Sequence, residues 1–118
     1  MRMLLTMASL TSAARSICFE TAASLDRASR EKDPIKAKAA FERASLLTPI
    51  AKAFSSDIAN ETTSLGVQIF GGMGYIEETG AAQLMRDARI CAIYEGANGV
   101  QAIDLTMRKI LQIGRAHV

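Results

Sequence analysis

The chain has 118 residues, 49% of them hydrophobic, no Trp, and 14 basic against 12 acidic residues for a net charge of +2. That length allows one domain with a real core, yet it is small for an enzyme that must also enclose a large cofactor. The basic residues are spread along the chain without the patch that binds nucleic acid, and Cys18, Cys91 and the single His117 lack the paired spacing of a metal site.

Abundant Ala, Leu, Ile and Met with only two Pro favour helices over strands, so the expected fold is all-α. Both cysteines read as reduced, buried, small apolar residues of a cytoplasmic protein. The start "MRMLLTMASLTSAARS" imitates a signal peptide, and a secreted helical protein is the reading it would support. Thr6, Ser9, Thr11 and Ser12 break its apolar run, however. No uninterrupted apolar stretch approaches the ~20 residues that cross a bilayer.

Met3, Met7, Leu10, Ala14, Ile17, Thr21 and Leu25 recur at spacings of three and four, the stripe of a packed helix. "SREKDP" ends it, since Pro34 disfavours helical geometry at Asp33, and Asp33 then caps a second helix with Pro34 at its first position. The pattern predicts three turns from Ile35 to about Leu47, with Ile35, Ala39, Ala40, Phe41 and Ala44 apolar. Thr48 and Pro49 repeat the cap-and-proline signature, which predicts a fresh or kinked helix from Ile50. Along it Ile50, Phe54, Ile58, Thr62, Leu65 and Ile69 form a stripe, while Lys52, Asp57, Asn60 and Glu61 read as a solvated face. "GGMGY" stops this helix. A short helix fits Ala81 to about Arg89, and a last one Ala97 to about Leu111 with Val100, Ile103 or Leu105, Met107 and Leu111 inward. Apolar stripes of this length need partners, so the expected architecture is an antiparallel four-helix-type bundle.

Two motifs raise the question of chemistry. "GGMGY" lacks the GxGxxG order, so it is either a helix stop or a place where bare backbone amides meet a phosphate. In "YEGANG", Glu95 is either a solvated or dipole-stabilised carboxylate at a helix start, or a base in a partly apolar pocket beside Ile90, Ile93 and Tyr94, where desolvation would fit it for proton abstraction. Arg86, Asp87 and Arg89 read as an ion-pair cluster, and the six Met as core filler.

Taken together, "PIAKAFSSDIAN", "GVQIFGGMGYIEE", "LMRDARICAIYEG" and "VQAIDLTMRKIL", in that order and spacing, resemble the C-terminal helical domain of the acyl-CoA dehydrogenases over Met1 to about Leu111. "TPIAKAF" and "YEGANGVQAIDL" look most like the branch that includes methylmercaptopropionyl-CoA dehydrogenase and long- or broad-chain bacterial relatives. The resemblance implies that Glu95 is the base that removes the α-proton of an acyl-CoA thioester while hydride leaves for FAD. It further implies that Gln68, Gly71 and Gly72 contact the FAD of a neighbouring subunit, and that Tyr94 and Gly96 adjoin the acyl-CoA site. Electrons would pass to an electron-transferring flavoprotein, and the helical domain would assemble a homodimer or homotetramer.

The sequence departs from the family at Ala97 and Gly99, where a hydroxyl and a polar residue near FAD are usual; Asn98 is the candidate for part of the missing polarity. The resemblance also implies an N-terminal helical domain and a middle β-domain not encoded here. Met1 is accordingly expected to be internal to a longer chain, and the fragment alone to be inactive. The tail "QIGRAHV", residues 112–118, is expected to be non-native, a read that ran into adapter sequence. The rival reading is a non-catalytic helical dimerisation or interaction module.

Overall fold

A computed structural model describes residues 1–111. The expected non-native tail, with Arg115 and His117, lies outside the described residues, which contain helices and turns and no strand. The backbone of the fold is a hairpin of two long helices, α1 (Arg2–Arg30) and α2 (Pro34–Phe70). Their junction is the one the sequence encodes: Asp33 accepts hydrogen bonds from the backbone N–H groups of Ile35 (2.9 Å) and Lys36 (3.4 Å), with Pro34 at the first helical position. A helix of 37 residues rises about 55 Å, so α2 sets the long axis of a molecule measuring 56 × 26 × 23 Å.

Three elements then return along α2: the single turn α3 (Gly72–Tyr75) with a 3₁₀ turn (Glu77–Thr79), α4 (Ala81–Cys91), and α5 (Asn98–Ile103), which continues as a π-helical stretch (Asp104–Ile110). Ala81 shares a cleft with Gly66 and Phe70, whereas Arg89 shares one with Asn60, so α4 runs antiparallel to α2. Asn98 meets Lys52 and Asp57, and Lys109 reaches Ser45, so the last helix does likewise. The antiparallel bundle thus consists of α1, α2, α4 and the last helix, the final two lying end to end along α2.

Its core is built from small residues. Ala44, Ala51 and Ile58 of α2 and Ala81 and Ala88 of α4 are buried, each set at a spacing of seven that forms one stripe. Thr21, Ser24 and Ser56 are buried too, their hydroxyls donating to the carbonyls four residues earlier at 2.7, 2.9 and 2.8 Å.

Four expectations are corrected. Cys18, read as buried, is exposed, and Cys91 is half-buried. Pro49 does not divide α2: it sits buried within one continuous helix, where its packing offsets the loss of one backbone hydrogen bond, and the adjacent Thr48 hydroxyl bonds the Ala44 carbonyl at 2.8 Å. On α1 the inward stripe ends through Ser24, leaving Leu25 exposed. On the last helix Val100, Ile103, Met107 and Leu111 are exposed, and Leu105 is the one half-buried member of the expected set. Large apolar side chains such as Phe19, Ile35, Phe41, Phe70 and Met107 are exposed as well.

Candidate functional site

Glu95 stands in the turn between α4 and α5, exposed, with φ at +52°, the only positive value at a non-glycine residue among the described residues. Gly96 follows at +84°. Two successive residues in this region reverse the chain sharply, and a side-chain-bearing residue there costs about 1–2 kcal/mol unless its surroundings enforce it. The enforcing groups are visible at both carbonyls. Gln101 Nε2 donates to Glu95 O at 3.2 Å, and Lys52 Nζ donates to Gly96 O at 2.7 Å.

Lys52 also donates to Asn98 Oδ1 at 3.0 Å. The other side of that amide donates to Asp57 Oδ1 at 2.6 Å and to Ala53 O at 3.2 Å. The Ser56 hydroxyl lies 3.0 Å from Asn98 Oδ1, its one proton shared with the Lys52 and Ala53 carbonyls. The amide dipole is therefore oriented, oxygen toward an ammonium and nitrogen toward a carboxylate, and the first residue of α5 is pinned to the middle of α2. This network corrects two expectations. Lys52 and Asp57 are not merely a solvated face, and Asn98 is turned to α2 rather than left free to replace polarity lost at Ala97 and Gly99.

Tyr94 is half exposed and Ile93 also faces outward, so the apolar enclosure that would desolvate Glu95 is not supplied by the described residues. The structure does not bring Glu95 together with Gln68, Gly71 and Gly72. The Glu95 turn is anchored at Lys52 to Asp57, and Gln68 lies 11 residues beyond Asp57 on α2, about 16 Å further along at 1.5 Å per residue.

At that second place Gly71 ends α2 with φ +60° and ψ −141°, a combination open to glycine, and its N–H bonds the Gln68 carbonyl at 3.1 Å. A Cβ on Gly71 or Gly72 would meet nothing within 4 Å, so this backbone is open to an incoming group. Gly74 is different: a Cβ there would lie 2.3 Å from the Val67 carbonyl oxygen. A cleft of about 370 Å³, lined by residues including Asn60, Val67, Gly74, Tyr75 and Arg89, opens beside this glycine turn and away from Glu95.

The expected ion-pair cluster of Arg86, Asp87 and Arg89 does not form: Arg86 grips Glu77 instead, through both terminal guanidinium nitrogens at 2.8 and 2.6 Å, Asp87 accepts from the neutral Gln83 amide at 2.7 Å, and among the described residues Arg89 forms no ion pair. The hydrogen bond from Arg86 holds the Glu77 carboxyl below the usual glutamate range. Among the described residues no cluster of His, Cys, Asp and Glu fits a metal ion, and no helix is long and apolar enough to cross a membrane.

Residues 1–110 match the family described as acyl-CoA dehydrogenase, C-terminal domain. The chain belongs to the acyl-CoA dehydrogenase family. It is 51% identical over 114 residues to 3-methylmercaptopropionyl-CoA dehydrogenase of Ruegeria pomeroyi, covering 96% of this chain and 19% of that protein. Over 108 residues it is 35% identical to butyryl-CoA dehydrogenase of Syntrophomonas wolfei, with 92% of this chain and 18% of that protein covered. A probable acyl-CoA dehydrogenase of Mycobacterium leprae is 39% identical over 101 residues, 86% of this chain and 23% of its own length. The chain thus spans about a fifth of the length of the curated relatives it matches. The acyl-CoA dehydrogenase resemblance carried by the four motifs and the all-α architecture are both borne out.

Proposed function

We propose that residues 1–111 form the C-terminal helical domain of an FAD-dependent acyl-CoA dehydrogenase that introduces an α,β double bond into an acyl-CoA thioester. Glu95 is its base. The observation that carries this reading is the Glu95 turn: an exposed carboxylate held at positive φ by hydrogen bonds on its own and the next carbonyl, directly after exposed Ile93 and Tyr94. A buried structural carboxylate would be turned in, and a merely solvated one has no need of a strained and doubly tied backbone.

The Glu95 carboxylate takes the proton from the carbon next to the thioester, the carbonyl oxygen gaining enolate character as the proton leaves. Tyr94 and Gly96 flank the acyl chain. Tyr94 supplies apolar surface, and Gly96, without a side chain, lets the thioester approach. FAD, when bound, would supply the acceptor for the hydride of the neighbouring β-carbon, and an electron-transferring flavoprotein would take the electrons onward.

Gln68, Gly71 and Gly72 suit a flavin cofactor of a neighbouring subunit, since the open backbone at both glycines admits a large group and Gln68 is exposed beside it. Their distance along α2 from the Glu95 turn supports contact with a second cofactor copy in a homodimer or homotetramer. The many exposed large apolar residues support a domain meant to be covered by the rest of a longer chain, and with it the inactivity of this fragment alone.

The test is acyl-CoA-dependent dye reduction by the complete gene product, alongside its Glu95→Gln variant and the isolated 118-residue chain. Turnover by the complete protein, a loss of about 10²–10⁴ in the variant and none in the isolated chain are expected. Full activity in Glu95→Gln would remove Glu95 from the mechanism, and turnover by the isolated chain would remove the need for the other domains.

A further inference from the structure

We infer that Lys52 is a positioning residue for Glu95, acting from the middle of α2 through the Gly96 carbonyl and the Asn98 amide. The inference rests on the proposed role of Glu95 as the base, and deepens it by assigning what fixes that carboxylate in space.

Besides Lys52, two contacts hold the turn carrying Glu95: the Gln101 side-chain amide on Glu95 O at 3.2 Å and the Asn98 N–H on Ala92 O at 3.3 Å. Ala97 brings no hydroxyl, Gly99 no side chain, and Ile93, Tyr94 and Glu95 itself all point away from the bundle. Its shape is nevertheless specific, with φ positive at both Glu95 and Gly96. A backbone in that state persists where its surroundings over-determine it.

Lys52 supplies the constraint from the rigid side. Its Nζ lies 2.7 Å from Gly96 O and 3.0 Å from Asn98 Oδ1, and so ties the residue after the base and the first residue of the next helix to one point on α2. Among the described residues Lys52 forms no ion pair; its charge falls on these two neutral oxygens. Charge-assisted bonds of this kind are about twice as strong as neutral ones. Asp57 completes the arrangement by holding the amide nitrogen at 2.6 Å, which fixes which face of Asn98 the ammonium meets.

Loss of the Lys52 ammonium therefore frees the Gly96 carbonyl and lets Glu95 relax to ordinary negative φ, moving its carboxylate relative to everything α2 positions. Since proton abstraction depends steeply on the geometry of the base, the effect falls on turnover rather than on binding.

The experiment uses the complete enzyme and three variants. Lys52→Met keeps an unbranched side chain, one atom shorter, and removes its charge. Asn98→Asp alters one atom and sets a carboxylate against Asp57, and the double variant Asp57→Asn with Asn98→Asp restores a donor and acceptor pairing. Lys52→Met and Asn98→Asp are each expected to lower kcat tenfold or more, with the acyl-CoA KM, bound FAD and melting temperature within error of wild type. The double variant is expected to recover most of the Asn98→Asp loss.

A kcat within twofold of wild type in Lys52→Met overturns the inference, as does a loss matched by falling FAD content or melting temperature, which marks a purely structural staple. A crystal structure of the Lys52→Met enzyme reads the turn independently of turnover. Glu95 at negative φ supports the inference, and an unchanged turn overturns it. A wild-type enzyme inactive on every acyl-CoA would instead strike the proposed function, leaving the crystal structure to decide the role of Lys52 in the turn.

Discussion

Lys52 and Gly96, 44 residues apart in sequence, are joined by a 2.7 Å hydrogen bond that closes the Glu95 turn onto α2. The glycine at its acceptor end is as constrained as the lysine. Gly96 has φ +84°, and a Cβ there would fall 2.8 Å from Gln101 Nε2. The glutamine is the end of a flexible side chain and swings aside, but in doing so it releases the Glu95 carbonyl that it holds at 3.2 Å.

Gly96→Ala is therefore expected to destabilise the protein by about 1–2 kcal/mol, mostly through the positive-φ penalty. Urea unfolding followed by far-ultraviolet circular dichroism measures this. A ΔΔG below about 0.5 kcal/mol, the scale of a neutral surface change, would show that the turn adopts another shape at no cost.

Two of the three glycines of "GGMGY", Gly74 and Gly72, are expected to separate cleanly by substitution. Gly74→Ala drives a Cβ to 2.3 Å from the Val67 carbonyl oxygen and 2.9 Å from Phe70 Cβ. Backbone cannot give way as a side-chain tip does, so a loss of about 1–3 kcal/mol is expected, the range for overpacking. Gly72→Ala meets open space at ordinary φ and is expected to stay within about 0.5 kcal/mol of wild type. On the flavin role proposed for Gly72, Gly72→Ala is expected to weaken FAD retention in the complete enzyme without lowering apoprotein stability. Parallel unfolding and flavin-release measurements check both halves, and equal stability losses at the two positions would defeat the separation.

These positions show how far the sequence reading went. The junction of α1 and α2 was legible because its signal is local: Asp33 and Pro34 specify cap and first turn within four residues. Pro49 misled for the same reason, since a cap-and-proline signature says nothing of the packing that keeps α2 continuous through it. Leu25, Val100, Ile103 and Met107 were expected inside on hydrophobicity and lie outside. In a chain that spans about a fifth of its relatives' length, an apolar stripe does not say which surface covers it. The Lys52, Asp57 and Asn98 network left no sequence signal beyond polar residues on a helix face. The one hint was a Glu-Gly pair in a loop, where tight turns expose carbonyls that need donors.

Glu77 and Arg86 allow a pH prediction with a definite sign. The two hydrogen bonds from Arg86 hold the Glu77 carboxyl below the usual range in the folded protein. A group depressed on folding contributes its stability above the unfolded value and loses it as pH falls through the folded one. The contribution is therefore present at neutral pH and disappears in acid. Because the pair is exposed, added salt weakens it. An NMR titration of the Glu77 side-chain carbonyl is expected to give a midpoint that rises in Arg86→Met. An unchanged midpoint would mean that the pair does not persist in solution.

The exposed apolar surface makes the last prediction. Ile35 is 79% exposed, Phe19 65%, Phe41 59% and Phe70 56%, spread over both long helices. Contiguous apolar surface beyond a few hundred Å² marks a contact site or an aggregation hazard. A domain shaped to be covered by other parts of a longer chain is expected to bind a hydrophobic dye when purified alone and to associate as its concentration rises. Replacing Ile35 and Phe41 together with Lys reduces both without loss of helicity, since neither side chain enters the core of this domain. Light scattering and dye fluorescence at several concentrations measure the effect. A dye-silent species of fixed stoichiometry across that range would instead favour a self-sufficient helical interaction module, because an independently evolved domain has its apolar faces already paired.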